Sequence, residues 1–507
     1  MLIIIESFLK IAKISIKKNQ FLLFAVFFFL IFFPMNNNMV HTYDDDHFHD
    51  ECGVIGIFSP HDMNVANLAY YGLFSLQHRG QEGAGIATAS GNNVEYYKKK
   101  GLVSEVFTQE VLDNLFGNIA IGHVRYSTTG ENTIANVQPL VVKYRKGFIA
   151  IAHNGNLVNT TALRNDLENS GAIFQTSIDT ELIANLFARY HSNGIENALH
   201  KVMEQIEGAY SLVIITQGKL IGVRDPHGFR PLCIGKMDNA YVLASETCAL
   251  DTLGAQFVRD VEPGEIVIID ENGLQSIPSN VFKKNTFCIF ELIYFARPDS
   301  NLEGHNAHSY RYKTGRILAE EAPVQADRVI AVPDSGIPAA IGFSEASGIP
   351  FGVGLIKNRY TGRTFIQPNQ ALREQGVRIK LNVLKKNVEG KRVVIIDDSI
   401  VRGTTIKRIV KMLKDSGAKE VHLRISSPPV THPCHFGIDT PDKEQLIGAQ
   451  MTVPEIANLL QVDSLAYISV EGMLKATGKK SGFCDACFTG NYPIQITENN
   501  EKNKFEV

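Results

Sequence analysis

From Cys52 to about Asp270, short apolar runs alternate with polar breaks: ECGVIGIF, IAIGHVRYST, FIAIAHNGN, AYSLVIIT, KLIGVRD, YVLASE and GEIVIID. Runs of this length bounded by turn residues predict strands. Two longer stretches with helical spacing, Val65 to Leu76 and Thr180 to Glu207, interrupt them. Strands and helices grouped in this way, without strict alternation, predict a layered α+β domain over residues 52–280. Glu271 to Lys284, with Gly273, Pro278 and Lys283-Lys284, reads as its boundary. Beyond it, DRVIAV, PFGVGLI, KRVVIIDD and VHLRIS alternate with the helical stretches IPAAIGFSEAS and TTIKRIVKMLKDSG, the last closed by Gly417. That alternation predicts an α/β domain over 281–494, a doubly wound parallel sheet whose ligands collect at the carboxyl ends of strands. Residues 495–507 form a polar tail with no apolar pattern.

Residues 1–51 do not match the rest. Phe21 to Phe33 is unbroken apolar sequence preceded by Lys17 and Lys18. It is shorter than the roughly 20 residues that cross a bilayer as a helix. Pro34 and the Asn36-Asn37-Asn38 run after it offer no small-residue cleavage site. The expectation is sequence upstream of a working start at Met35 or Met39, or a discarded leader or propeptide, with a signal peptide or anchor as the alternative.

Composition narrows the classes. The chain has 507 residues, enough for two or three domains with full cores. Lys and Arg total 50 against 53 for Asp and Glu, so no general basic field argues for nucleic acid. Seven cysteines without dense local spacing argue against a secreted disulfide scaffold. They suit a reducing, cytoplasmic compartment and catalytic or metal-binding thiols.

The most informative stretch is VVIIDDSIVRGTT, Val393 to Thr405: an apolar strand, two carboxylates, then a loop of hydroxyls and glycine opening a helix. Backbone N–H groups at such a helix start, with Ser399, Arg402, Gly403, Thr404 and Thr405 around them, form a cradle for a phosphate monoester. Asp397 and Asp398 suit ribose hydroxyls and a hard cation such as Mg²⁺. A surface turn with a solvated acidic pair is the plainer alternative. A second strand end carries Pro333-Asp334-Ser335-Gly336. Between strands, Lys357 to Lys380 is basic with little apolar periodicity. It reads either as a solvated loop or as a mobile cover whose Lys357, Arg359 and Arg363 meet a polyphosphate and exclude water.

In the first domain Cys52 leads into a strand, the position of a packed core thiol or of a nucleophile. GHVRYSTTG brings Arg125 and Thr128 to one strand end, IAHNGN brings Asn154 and Gly155 to another, and TSIDTE starts a helix with Asp179. An Arg for a carboxylate, an Asp for an ammonium, and an Asn with a glycine N–H for an oxyanion are the parts of an amino-acid amide hydrolase. No histidine stands out as the base.

ECGVIGIF, HRGQEGAGI, GHVRYSTTG and AHNGNL resemble the N-terminal-nucleophile glutaminase domain, an αββα fold. With VVIIDDSIVRGTT, the chain from about Cys52 to Ile494 resembles the glutamine phosphoribosylpyrophosphate amidotransferases, or amidophosphoribosyltransferases. The resemblance implies that Cys52 becomes residue one after propeptide removal and that its own α-amine serves as base. It implies glutamine binding by Arg125, Thr128 and Asp179, an oxyanion site at Asn154 and Gly155, and a glutamyl thioester that releases ammonia. The ammonia would pass internally to C1 of phosphoribosyl pyrophosphate, giving 5-phosphoribosylamine, glutamate and pyrophosphate, the opening step of purine synthesis. Mg²⁺ would be held by Ser335, Asp397 and Asp398. Tyr294 and Arg297, in IYFARPDS, are further site candidates of open role. The family is commonly homotetrameric and inhibited by purine nucleotides.

Cys288, Cys434, Cys484 and Cys487 form one close pair and two singles, a weak metal signal by spacing, since structural zinc sites usually bring two close pairs. All four positions are similar to those of the iron–sulfur-containing branch, which implies a [4Fe–4S] cluster, with zinc as the alternative for four thiolates. Cys233 and Cys248 are expected to be packing residues. Two other functions compete: a nucleotide-sensing DNA-binding regulator, which would need a basic reading module, and an amidotransferase acting on another sugar phosphate.

Overall fold

Strands covered on both faces account for the unbroken apolar runs of the first domain. The computed structural model describes residues 52–60, 63–126, 133–278, 281, 283–358, 381–440 and 442–496. Residues 1–51, Thr128, Arg359 and Arg363 lie outside the described residues. One seven-stranded sheet runs, edge to edge, Gln256–Asp260, Cys233–Met237, Ala240–Ala244, Gly53–Phe58, Ile119–Arg125, Gly83–Ser90, Asn93–Lys100. A six-stranded sheet runs Gly273–Pro278, Glu265–Asp270, Lys219–Arg224, Gly208–Thr216, Gly147–Leu157, Leu140–Tyr144. Val54 and Phe58 of the first sheet meet Ala150, Ala152 and Val213 of the second in one core. Ile55 and Ile57, pointing the other way, pack with Leu73 of the helix Val65–Ser75. Ile149 and Ile151 of the second sheet turn outward onto Leu186 and Phe187 of the helix Thr180–Tyr190 and Leu199 of the helix Ile195–Gln205. The layers are therefore helix, sheet, sheet, helix, as the resemblance implied.

Three expectations are corrected. Thr180 to Glu207 is not one helix. Gly194, at φ +97°, separates two, a conformation that glycine adopts without a Cβ penalty. Glu271 to Lys284 is not wholly a boundary, because Gly273–Pro278 pairs antiparallel with Glu265–Asp270.

In the second domain a parallel sheet runs Arg328–Ala331, Arg392–Asp397, Glu420–Ile425, Ser464–Tyr467. Its alternate residues feed two cores. Val329, Val394 and Ile396 face Phe343 of the helix Ile337–Ser347. Ile330, Val393 and Ile395 face Ile406, Ile409 and Leu413 of the helix Thr404–Asp415. Helices on both faces make it doubly wound, and its carboxyl ends are left to loops. The third correction falls here, since PFGVGLI does not supply a full parallel strand. Phe351 makes a single bridge to Val329, and Leu355–Lys357 pairs antiparallel with Leu381–Val383. Gly352 and Gly354 press against the Arg328 and Ile330 side chains, where a Cβ would come within 2.4 and 2.7 Å.

Candidate functional site

Cys52 stands immediately before the strand Gly53–Phe58, whose Gly53 is in register with Val124, so Cys52 lies beside Arg125 at a sheet end. A small pocket opens there, lined by Cys52, Arg125, Tyr126, Gln138, His153, Gly155, Ile178 and Asp179. The thiol donates to the Tyr126 carbonyl at 3.3 Å. Burial pushes its pKa up to about 11, against the pull of that bond and of Arg125. A thiol so placed is protonated at neutral pH and needs a base.

Among the described residues no imidazole nitrogen is hydrogen-bonded to it. His153 Nδ1 faces Asp179 Oδ1 at 3.2 Å and Thr180 Oγ1 at 3.3 Å, and its Nε2 faces the Ala209 carbonyl at 3.4 Å. His123 Nε2 faces the His153 carbonyl at 3.1 Å, and burial pushes its pKa down to about 3. Asp179 precedes the helix Thr180–Tyr190 and accepts from Leu157 N at 3.1 Å. Burial would raise its pKa, but the His153 charge and these hydrogen bonds more than offset it, so the carboxyl is held below its usual range. That leaves a carboxylate for an ammonium.

Asn154 and Gly155 sit in the strand Gly147–Leu157, opposite Ser211 and Tyr210. The Asn154 Nδ2 is buried with no hydrogen-bond partner among the described residues, as expected of a donor reserved for a ligand. Gly155 has φ +146°, and a Cβ there would lie 2.0 Å from the Ala209 carbonyl oxygen. Only glycine fits.

The second constellation forms where the strand Arg392–Asp397 ends. Asp397 closes that strand, and Asp398 and Ser399 follow, all three buried. Asp398 N donates to Asp397 Oδ1 at 3.0 Å and Ser399 Oγ to Asp398 Oδ1 at 2.5 Å. Asp398 Oδ2 and Thr404 Oγ1 are buried without partners among the described residues. Arg402 precedes Gly403, which at φ +80° turns the chain into the helix Thr404–Asp415, with Thr404 and Thr405 in its first turn. The Ser335 loop is brought alongside by Gly336, where a Cβ would come 2.6 Å from the Ile396 carbonyl. Lys357 reaches the same loop, pairing with Asp334 at 2.9 Å. Oxygen donors with one or two carboxylates suit Mg²⁺, and the orphaned Asp398 Oδ2 is consistent with such a ligand.

The four thiols Cys288, Cys434, Cys484 and Cys487 lie near enough for the charges of the other three to act on Cys487. Cys288 and Cys484 are register partners on the parallel pair Phe287–Cys288 and Phe483–Cys484. Burial pushes Cys487 far up, and the charges of Cys288, Cys484 and Cys434 push it further. An all-sulfur set suits iron–sulfur or zinc. Among the described residues no group of three or more His, Cys, Asp or Glu side chains is arranged to hold a metal ion. Cys233 and Cys248 are buried in the core beside Val242 and Leu250.

Residues 123–252 match the family described as a glutamine amidotransferase domain, and 314–426 that described as a phosphoribosyl transferase domain. The amidophosphoribosyltransferase of Archaeoglobus fulgidus is 52% identical over 450 residues, 88% of this chain and 98% of that protein. The amidophosphoribosyltransferase of Bacillus subtilis is 52% identical over 453 residues, 88% of this chain and 95% of that protein. The chain belongs to the amidophosphoribosyltransferase family. A solved glutamine phosphoribosylpyrophosphate amidotransferase from B. subtilis, complexed with ADP and GMP, superposes with TM-score 0.84 at 51% identity, covering 88% of this chain and 98% of that one. Like its family, the protein catalyses glutamine-dependent amidotransfer to phosphoribosyl pyrophosphate in purine biosynthesis.

Sequence reasoning left Arg79, Glu246 and Glu291 without roles. Arg79 Nε donates to the Cys52 carbonyl at 3.1 Å, and its guanidinium meets Glu246 at 2.6 Å and Glu291 at 2.8 Å. Arg79 stands in HRGQEGAGI, so that stretch was the available signal. Arg297 turns out to serve the domain junction: its backbone N–H donates to Glu246 at 3.0 Å and its guanidinium pairs with Asp299 at 2.6 Å. Tyr294 lies in the turn Glu291–Phe295, where its carbonyl accepts from Arg311.

Proposed function

We propose that Cys52, freed by removal of residues 1–51, is the glutamine nucleophile. Its own α-amine would take the thiol proton, because an internal Cys52 has an amide nitrogen that accepts none. The observation that carries this reading is a buried, neutral thiol beside Arg125 and Asp179 with no imidazole nitrogen of the described residues directed at it. Arg125, with Thr128, holds the substrate carboxylate and Asp179 its ammonium. Attack of Sγ on the side-chain amide carbon pushes negative charge onto oxygen, where Asn154 Nδ2 and Gly155 N–H receive it. Ammonia leaves, and water then releases glutamate from the thioester.

At the acceptor site, Ser399 to Thr405 hold the 5-phosphate, including Arg402, Gly403 and Thr404, while Asp397 and Asp398 orient the ribose. Ser335, Asp397 and Asp398 would hold Mg²⁺ directly or through water, and the ion would neutralise the departing pyrophosphate. Lys357, Arg359 and Arg363 cover the pyrophosphate, and catalysis rests on positioning and charge. Cys288, Cys434, Cys484 and Cys487 would hold a [4Fe–4S] cluster that ties chain segments together. Purine nucleotides are the inhibitors this reading expects, a cytoplasmic homotetramer the assembly.

Pyrophosphate release with glutamine and with ammonium tests the assignment. Cys52→Ala should abolish the first and keep the second, while the double variant Asp397→Asn, Asp398→Asn should lose both. Glutamine-dependent release undiminished in Cys52→Ala would refute the nucleophile. N-terminal sequencing of active enzyme should begin at Cys52.

A further inference from the structure

We propose that Glu291, a residue of the acceptor domain, is a positioning residue for Cys52 in the glutaminase domain. The inference rests on Cys52 being the nucleophile. Once Cys52 is the first residue it has no preceding peptide group to hold it. Its backbone is then tethered by the bond to Gly53 and by what grips its carbonyl oxygen. That grip is the Arg79 Nε at 3.1 Å. The Arg79 side chain is fully buried, so its direction is set by its carboxylate partners. Glu246 takes Nη1 at 2.6 Å from within the glutaminase domain. Glu291 takes Nη1 at 2.9 Å and Nη2 at 2.8 Å from across the junction, a two-pronged bond that fixes the guanidinium plane.

Glu291 is itself held in place. Arg230 of the glutaminase domain approaches its Oε1 at 3.4 Å. The turn Glu291–Phe295 is clamped by buried Arg311, which donates to the carbonyls of Leu292 at 2.9 Å, Tyr294 at 2.8 Å and Ala296 at 2.7 Å. Glu246 is engaged by His78, Arg297 N and Ser300 Oγ as well, so it does not serve Arg79 alone. Gly80, next to Arg79, packs on the Arg125 backbone, where a Cβ would lie 2.7 Å from the Arg125 carbonyl carbon. Arg79 bonds the Cys52 carbonyl directly but reaches Arg125 only through the neighbouring Gly80 backbone, so its movement disturbs the thiol's residue more directly than the groups that bind glutamine.

The test uses processed full-length enzyme and the variants Glu291→Gln and Glu291→Asp. For Glu291→Gln, kcat with glutamine should fall about tenfold or more, with KM for glutamine changed by less than about threefold and the ammonium-dependent rate within about twofold. Alkylation of Cys52 by a diazoketone analogue of glutamine should slow in parallel. Glu291→Asp, which keeps the charge, should fall between. An unchanged kcat with glutamine, or an equal loss of both activities, overturns the proposal. If Glu291→Gln does not fold, Glu291→Asp is judged on the same two rates. Failure of the underlying nucleophile assignment is separate, because it would appear as an active Cys52→Ala.

Discussion

At the residue scale the glutaminase site is a set of groups held in unsatisfied or costly states. Leaving the Asn154 amide buried and unpaired costs about 1–3 kcal/mol, a deficit that the proposed oxyanion would relieve. Cys52 is kept neutral by burial and Asp179 is kept ionised by His153 and backbone donors. A base works when unprotonated, so kcat/KM for glutamine should rise with pH through the range of an α-amine, about 7.7–8.0, and then level off. A thiol ionising without help would keep the rate climbing towards about 11. A pH profile of the processed enzyme separates the two. Asp179 needs no titration across that range, since its carboxyl is already held low. The residue types were legible in GHVRYSTTG, IAHNGN and TSIDTE. The direction of His153 towards Asp179 was not, because Thr180, Leu157 and Ala209 converge on that point only after the strands pair.

At the element scale both constellations gather at or near the carboxyl ends of strands, Asn154 and Gly155 within the last four residues of theirs. Periodicity identified Gly53–Phe58, Gly147–Leu157 and Arg392–Asp397 because each carries an unbroken apolar run that is buried. Gly83–Ser90 and Asn93–Lys100 escaped. The first is rich in small residues, with Gly85 allowing close approach of the Gln138 carbonyl, and the second is an exposed edge strand with few apolar residues. The helix Thr404–Asp415 depends on Gly403 in the left-handed region. Gly403→Ala should destabilise the protein by about 1–2 kcal/mol. It should also lower both the ammonium- and glutamine-dependent rates, read by denaturant unfolding and pyrophosphate release, because that turn is part of the proposed phosphate cradle.

At the scale of the whole molecule the two domains share a buried junction. Asn156 donates to the His435 carbonyl at 3.0 Å, Arg230 donates to the Phe436 carbonyl at 2.7 Å, and Phe229 stacks on Phe436 with centroids 4.4 Å apart. Cys434 and Cys484 pack against that stack. Cys434→Ser should therefore lower the iron content of purified enzyme and its thermal midpoint, by metal analysis and calorimetry. Wild-type protein with no iron would set the cluster aside. Local order of residues was enough to reveal a parallel sheet and a strand-to-helix turn rich in hydroxyls and carboxylates, because strand periodicity, loop hydroxyls and paired carboxylates are short-range features of the chain. Tertiary structure alone decided that Arg79 holds Cys52 from between Glu246 and Glu291, residues 167 and 212 positions away. Burial made that arrangement: charges removed from water must find one another, and which ones do depends on how the two domains close.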